Sequence, residues 1–260
     1  MLGLKKSERI WNWFAEGKHP CAKDYFRIGV DFPLARIFSR WVECGFNQCD
    51  QRRCAVSEPV FWRFWARGGV RESIVCGIVC DSKDSIGRSF PFLVMGSGPM
   101  NELLERWDSV PFVLDETWQS MEALSISCFS SLDGLKSKFK DSLHPWNKNI
   151  TLLAPEVDIG IAQCGSQSSL KTLKEQITLS HGNDSNLVVI ELGNSEFEQK
   201  NPSIETHTAV KALVNDLPSS VFISGSVDKT RMFFFFRPLV LSDFGVLWSA
   251  NPNKESGMAL

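Results

Sequence analysis

The spacing of apolar residues changes several times along the chain, and each change marks an element. Trp11 to Phe14 is a short aromatic run that predicts a first strand, and Gly17 to Pro20 follows as a loop punctuated by glycine and proline. Leu34, Ile37, Phe38, Trp41 and Val42 then recur at the i, i+3, i+4, i+7, i+8 spacing of one helix face. Pro33 suits the first turn of that helix, where its missing N–H costs nothing, and Gly45 is the expected stop. From Pro59 the pattern is that of strands: Phe61 to Trp65, Ile74 to Cys80 and Phe90 to Met95, with a turn at Gly68-Gly69 and closure at Gly96 to Pro99. Short strands with short connections predict an antiparallel meander.

Helical spacing returns at Leu103, Leu104 and Trp107, then at Trp118, Met121, Glu122 and Leu124 with Asp115 as the capping residue. Leu135, Phe139 and Leu143 predict a further helix that ends before Pro145. Gly160 to Ser169 is small and polar and reads as a loop or insertion, and Leu170 to Leu179 reads as a helix. Leu187 to Leu192 reads as a buried strand and Ile204 to Leu217 as a helix. Val221 to Ser224 and Met232 to Phe236 read as strands about a polar turn at Ser226 to Thr230, and Leu241 to Trp248 as a closing helix. Strands and helices alternate without a strict βαβ rhythm, which predicts an α/β fold with a mixed sheet covered by helices on both faces. With no solenoid repeat, low-complexity stretch or long linker, residues 1–250 are expected to form a single domain followed by a disordered tail, 251–260. A subdivision near residue 130 is the alternative.

Composition narrows the function classes. The 260 residues are 43% hydrophobic and 22% charged, ordinary for a globular chain large enough to build a core without staples. A net charge of −2, with only short mixed clusters at Arg52-Arg53 and at Lys136, Lys138 and Lys140, argues against nucleic acid as a partner. No apolar run reaches the roughly 18–20 residues of a membrane span. Met1 to Glu8 is charged and no apolar stretch follows it, so no membrane insertion and a cytoplasmic location are expected. The eight cysteines then read as reduced thiols. Cys44, Cys49 and Cys54 recur every five residues instead of in close zinc-binding pairs. Cys76 and Cys80 share a strand face with Ile74 and Ile78 and read as small core residues.

Motifs for chemistry are sparse. Gly17-Lys18 lacks the second glycine and the Ser/Thr of a phosphate-binding loop, and no G-x-G-x-x-G or G-x-S-x-G occurs. No cofactor is expected. A cysteine and a histidine could still meet in space, which keeps a Cys-dependent hydrolase as an alternative. Asp81 to Gly87 reads as a hairpin loop whose Asp and Ser side chains bond nearby N–H groups, and it lacks the ladder of a calcium site. In the stretch Asp84 to Pro91, Gly87 can adopt positive φ, Arg88 can clamp carbonyls or Asp84, and Pro91 suits a strand start. Trp62-Arg63-Phe64-Trp65 is the densest aromatic cluster. On a strand Trp62 and Phe64 point one way and Arg63 and Trp65 the other, so Arg63 needs a carboxylate or a carbonyl.

Three segments in order over about residues 10 to 95 carry a resemblance. Gly17-Lys18-His19-Pro20 with Asp24-Tyr25-Phe26, followed by the helix bearing Trp41, is similar to an early Gly-Lys-x-Pro-x3-Asp-Phe stretch of the TagF (ImpM) family of type VI secretion accessory proteins. Trp62-Arg63-Phe64 is similar to that family's Trp-Arg-Phe strand. Gly77-Ile78-Val79 and Asp84-Ser85-Ile86-Gly87-Arg88-Ser89-Phe90-Pro91-Phe92 resemble its glycine-bearing strand, Asp-x-Val-Gly-Arg turn and Phe-Pro-Leu strand. The chain departs mildly at Tyr25, Ile86 and Phe92, and carries Cys21-Ala22-Lys23 where small or basic residues are usual. Beyond residue 130 only the general rhythm of elements matches.

The resemblance implies a three-layer α/β/α sandwich with a mixed, largely antiparallel sheet. It also implies a non-enzymatic post-translational repressor that binds the secretion system's forkhead-associated scaffold protein, with the oligomeric state left open. A structural or assembly subunit of the apparatus is the alternative. The candidate partner-binding or motif residues are Lys18, Pro20, Asp24, Trp62, Arg63, Asp84, Gly87 and Arg88. Lys18, Asp24, Arg63, Asp84 and Arg88 either converge on one partner surface or only build the fold.

Overall fold

A computed structural model describes residues 11–49, 61–70, 72–143, 150–151, 175–177, 186–193, 202–214, 216–226 and 229–249. The chain runs through β1 (Asn12–Gly17), β2 (Phe26–Gly29), α1 (Pro33–Gln48), β3 (Phe61–Arg67), β4 (Ser73–Cys80) and β5 (Phe92–Asn101). It continues with α2 (Leu103–Arg106), a 3-10 turn (Trp107–Ser109), α3 (Val110–Ile126), α4 (Leu132–Leu143) and β6 (Ile150–Thr151). β7 (Leu187–Gly193), α5 (Pro202–Val214), β8 (Ser220–Ser226), β9 (Lys229–Phe235) and α6 (Leu241–Ser249) complete it.

One sheet collects the strands in the order β2-β1-β5-β4-β3-β8-β9-β7. Every neighbouring pair along that path is antiparallel, and β6 adds a two-residue parallel pairing at Met100 and Asn101. The predicted meander is β3-β4-β5. The β3–β8 ladder, Trp62 opposite Ser224 through Ala66 opposite Ser220, joins strands from before residue 130 to strands from after it.

Strand alternation sorts the side chains into two clusters. Trp13, Ala15, Trp65, Cys76, Ile78 and Cys80 pack with Leu114, Trp118 and Met121 of α3 and Leu135 and Phe139 of α4. Phe14, Trp62, Phe64, Val75, Val79 and Met95 pack with Phe38, Val42 and Phe46 of α1 and Phe244, Leu247 and Trp248 of α6. Each large side chain taken from water contributes about 1.5–3 kcal/mol, so these clusters hold the helices to the sheet. The expected core role of Cys76 and Cys80 holds: both are buried, and burial pushes the Cys80 thiol up to about 12 and Cys76 higher still.

Several expectations are corrected. Gly45 does not stop α1: it lies inside the helix, and a Cβ there would sit 2.3 Å from Cγ of Phe244, so it is the point where α6 presses on α1. The buried face of α1 is Ala35, Phe38, Ser39, Val42, Gly45 and Phe46, and Ile37 is 61% exposed. Gly96 to Pro99 lie within β5 instead of closing it. Cβ atoms at Gly96 and Gly98 would fall 2.2 and 2.3 Å from the rings of Trp13 and Trp11, so these glycines make room for indoles laid on the sheet. Asp115 is no cap: α3 opens with Val110 and Pro111, and Asp115 sits in its body. β2, four residues long, is too short to show a period in the sequence. The predicted loop at Gly160 to Ser169 and the tail 251–260 lie outside the described residues, and of the helix expected at Leu170 to Leu179 only 175–177 are described, as helix.

Candidate functional site

Two loops meet at one end of the sheet, and Asp84 ties them. β1 ends at Gly17 with φ +125°, and a Cβ there would lie 2.1 Å from the Pro91 carbonyl oxygen, so only glycine lets the chain turn against the start of β5. Pro20 follows at an exposed second position of a tight turn closed by Ala22 N–H donating to His19 O at 2.9 Å. Ser85 N–H donates to Ala22 O at 2.8 Å and clips this loop to the β4–β5 loop. Within the second loop Gly87 takes φ +87°, its N–H donates to Asp84 O at 3.0 Å, and Asp84 N–H donates to Arg88 O at 3.1 Å.

The Asp84 side chain is buried and accepts from four donors. Oδ1 accepts from the N–H groups of Ile86 at 3.1 Å and Arg88 at 2.9 Å. Oδ2 accepts from Arg88 Nε at 2.7 Å and faces Lys18 Nζ at 3.3 Å. Burial acts to raise the Asp84 pKa, but the bonds from Arg88, Lys18 and Ile86 outweigh it and hold the carboxyl at about 2. A carboxylate so saturated is no general base; it is an ionic hub that sets loop shape. Nη2 of Arg88 donates to Lys23 O at 2.8 Å and faces Asp24 at 3.3 Å, and the hydrogen bond to Asp84 foremost raises the arginine's pKa. The outer surface is half-exposed guanidinium, the exposed Asp24 carboxylate, Tyr25, and Ile86, which is 67% exposed at the loop tip.

Lys18, Asp24, Asp84, Gly87 and Arg88 therefore come together, with Pro20 on the adjoining turn. Arg63 does not join them. Its Nε and second terminal nitrogen donate to Glu122 at 2.6 and 2.9 Å, its other terminal nitrogen donates to Asp115 at 2.9 Å, and its guanidinium lies 5.7 Å from the Trp118 ring. The expected carboxylate partner is present, supplied by α3. Trp62, 2% exposed, belongs to the core on the opposite face of the sheet.

Three further polar features depend on the tertiary structure. Glu16 and Arg27 are directly opposed in the β1–β2 register and pair at 2.8 Å, an ordinary cross-strand match visible only once β2 is placed. His207 is fully buried: Trp65 Nε1 donates to its Nε2 at 3.2 Å, so its Nδ1 carries the proton and donates to Ser203 O at 2.7 Å. Burial lowers its pKa to about 4. His19 is also buried and also lowered by burial, with Nδ1 accepting from Cys21 N–H at 3.2 Å. The nearby Cys21 thiol is raised, mainly by burial.

The fold is thus a mixed α/β unit on an antiparallel sheet, whose loop hub is built from motif residues. The sequence matches the TagF N-terminal domain family, type VI secretion system-associated, over residues 13–142, half of the chain, and the protein belongs to that family. The matched span contains the whole Lys18–Arg88 hub and Arg63 with its α3 partners. Among solved structures, PA0076 from Pseudomonas aeruginosa PAO1 is similar at 16% identity, with 90% of this chain and 92% of that chain covered and a TM-score of 0.48. No curated protein matches. Among the described residues no helix is long and apolar enough to cross a membrane.

Proposed function

We propose that this TagF-family chain is a non-enzymatic, cytoplasmic accessory regulator of a type VI secretion system. It represses secretion after translation by binding the system's forkhead-associated scaffold protein. The scaffold of the reading is a three-layer α/β/α sandwich, supported by the two core clusters, one taking α3 and α4 and the other α1 and α6. The observation that carries the functional reading is the double-loop hub: family-motif residues are spent on fixing a rigid charged platform, not on a reactive centre. Burial that lifts Cys21, Cys76 and Cys80 supports the same reading over a thiol hydrolase, since a nucleophilic thiol needs a lowered pKa.

The test is capture of partners from a lysate carrying the type VI gene set, read by mass spectrometry. The scaffold protein should be recovered with the native chain and lost with Ile86→Glu, a change at an exposed tip that leaves the hub intact. Stoichiometric recovery of sheath or baseplate components instead would favour a structural subunit. Capture unchanged by Ile86→Glu and by Arg88→Gln would remove the platform from the reading.

A further inference from the structure

Among the described residues β2 is an edge strand of the sheet, and a groove lies beside it. Val30 N–H donates to Trp13 O at 2.8 Å. In an antiparallel ladder the inward-bonding residues alternate, so Ile28 and Phe26 turn their backbone groups to β1, and Arg27 and Gly29 turn theirs outward. The groove, about 670 Å³, is lined by Trp11, Trp13, Ile28 and Phe139 and by Lys136 and Lys140 on successive turns of α4. Trp11 and Trp13 are 4% and 8% exposed and stack at 5.2 Å, and neither indole Nε1 has a hydrogen-bond partner among the described residues. Both nitrogens are buried, so what the two indoles offer the groove is apolar ring surface. Lys136 meets only the exposed Asp133, and Lys140 has no ion pair among the described residues.

We propose that this groove takes an extended acidic–apolar peptide segment of a partner protein, added as a strand along β2. The outward groups of Arg27 and Gly29 would continue the ladder, apolar side chains would pack against the groove, and carboxylates would meet the two lysines. The two lysines favour a negatively charged occupant, and the backbone edge favours a peptide over a small molecule. The inference does not depend on the repressor reading, since it uses a different face and none of the hub residues.

The test uses the full chain labelled with nitrogen-15 and an acetylated, amidated heptapeptide of alternating glutamate and leucine. Saturable shifts are expected at the indole signals of Trp11 and Trp13, assigned from Trp11→Phe and Trp13→Phe, and at the amides of Arg27 and Gly29. Lys136→Ala/Lys140→Ala should weaken binding roughly fivefold to tenfold, the range of two rim charge contacts. The glutamine analogue should weaken likewise, and a backbone N-methylated peptide should bind far more weakly. Absence of saturable indole shifts in millimolar peptide, or equal binding by the glutamine analogue, would overturn the proposal. Octanoate binding as tightly as the peptide would also overturn it, by assigning the groove to small carboxylates.

Discussion

Replacing Arg63 with methionine removes a cation that β3 holds, partly buried, against α3. Methionine keeps the stem over Trp118 and removes three charge-assisted hydrogen bonds to Glu122 and Asp115. Those carboxylates are 24% and 37% exposed and the arginine side chain 27%, so the pair is neither dry nor fully wet. Breaking a fully buried pair costs about 3–5 kcal/mol and a surface pair about 0–1, which places Arg63→Met near 2–3 kcal/mol. For a chain of this length about 1 kcal/mol moves Tm by about 2 °C, so a fall of roughly 4–6 °C is expected. Most of the loss is the orphaning of two carboxylates on one helix face. Adding Asp115→Asn and Glu122→Gln to Arg63→Met should therefore restore roughly half of it. Urea unfolding followed by far-ultraviolet circular dichroism measures both. An Arg63→Met protein within about 0.5 kcal/mol of the native chain, or a neutralised triple variant no more stable than the single one, would refute the reasoning.

His207 is lowered by burial from 6.5 to about 4, so the unfolded chain binds more protons than the folded one between those values. Its stabilising contribution is complete above pH 6.5 and falls away as pH drops toward 4: about 2 kcal/mol less at about pH 5 than at about pH 7 in denaturant titrations, a difference that His207→Leu should abolish. Asp84 is lowered from 3.8 to about 2, so its contribution is present above 3.8 and lost as pH falls through about 2; Asp84→Asn should weaken folding at neutral pH and flatten that acid limb of the stability curve. Two glycines should separate by context. Gly87 has positive φ in open space, so Gly87→Ala should cost about 1 kcal/mol by thermal melting. Gly17→Ala adds a collision with the Pro91 carbonyl oxygen and should prevent native folding, seen as loss of near-ultraviolet dichroism.

What could be read from the chain was whatever depends on neighbours in sequence. Alternation over Phe61 to Trp65 separated Arg63 from Trp62 correctly, because a strand enforces a period of two wherever it lies. The Asp84 to Pro91 loop was legible for the same reason: an Asx-type turn, a positive-φ glycine and an Arg four residues on are local chemistry. The family resemblance rested on such local signatures and survives comparison with the family itself.

The glycines and charges were misread where their partners are distant. Gly45 looks like a helix stop until Phe244, almost two hundred positions later, is seen pressing on it, and Gly96 and Gly98 look like a turn until the Trp13 and Trp11 rings cover them. A missing side chain signals either backbone freedom or space for someone else's atoms, and nothing adjacent in sequence tells the two apart. Arg63 carried an evident need for an anion, but only the placement of α3 over the sheet chose Glu122 and Asp115 and withheld Arg63 from the loop hub. Local dihedral and alternation preferences thus determined most of the longer elements and the motif loop, while element ends at Gly45 and Gly96 and the choice of partners belonged to the packing of helices on the sheet, where contacts are set by proximity in space.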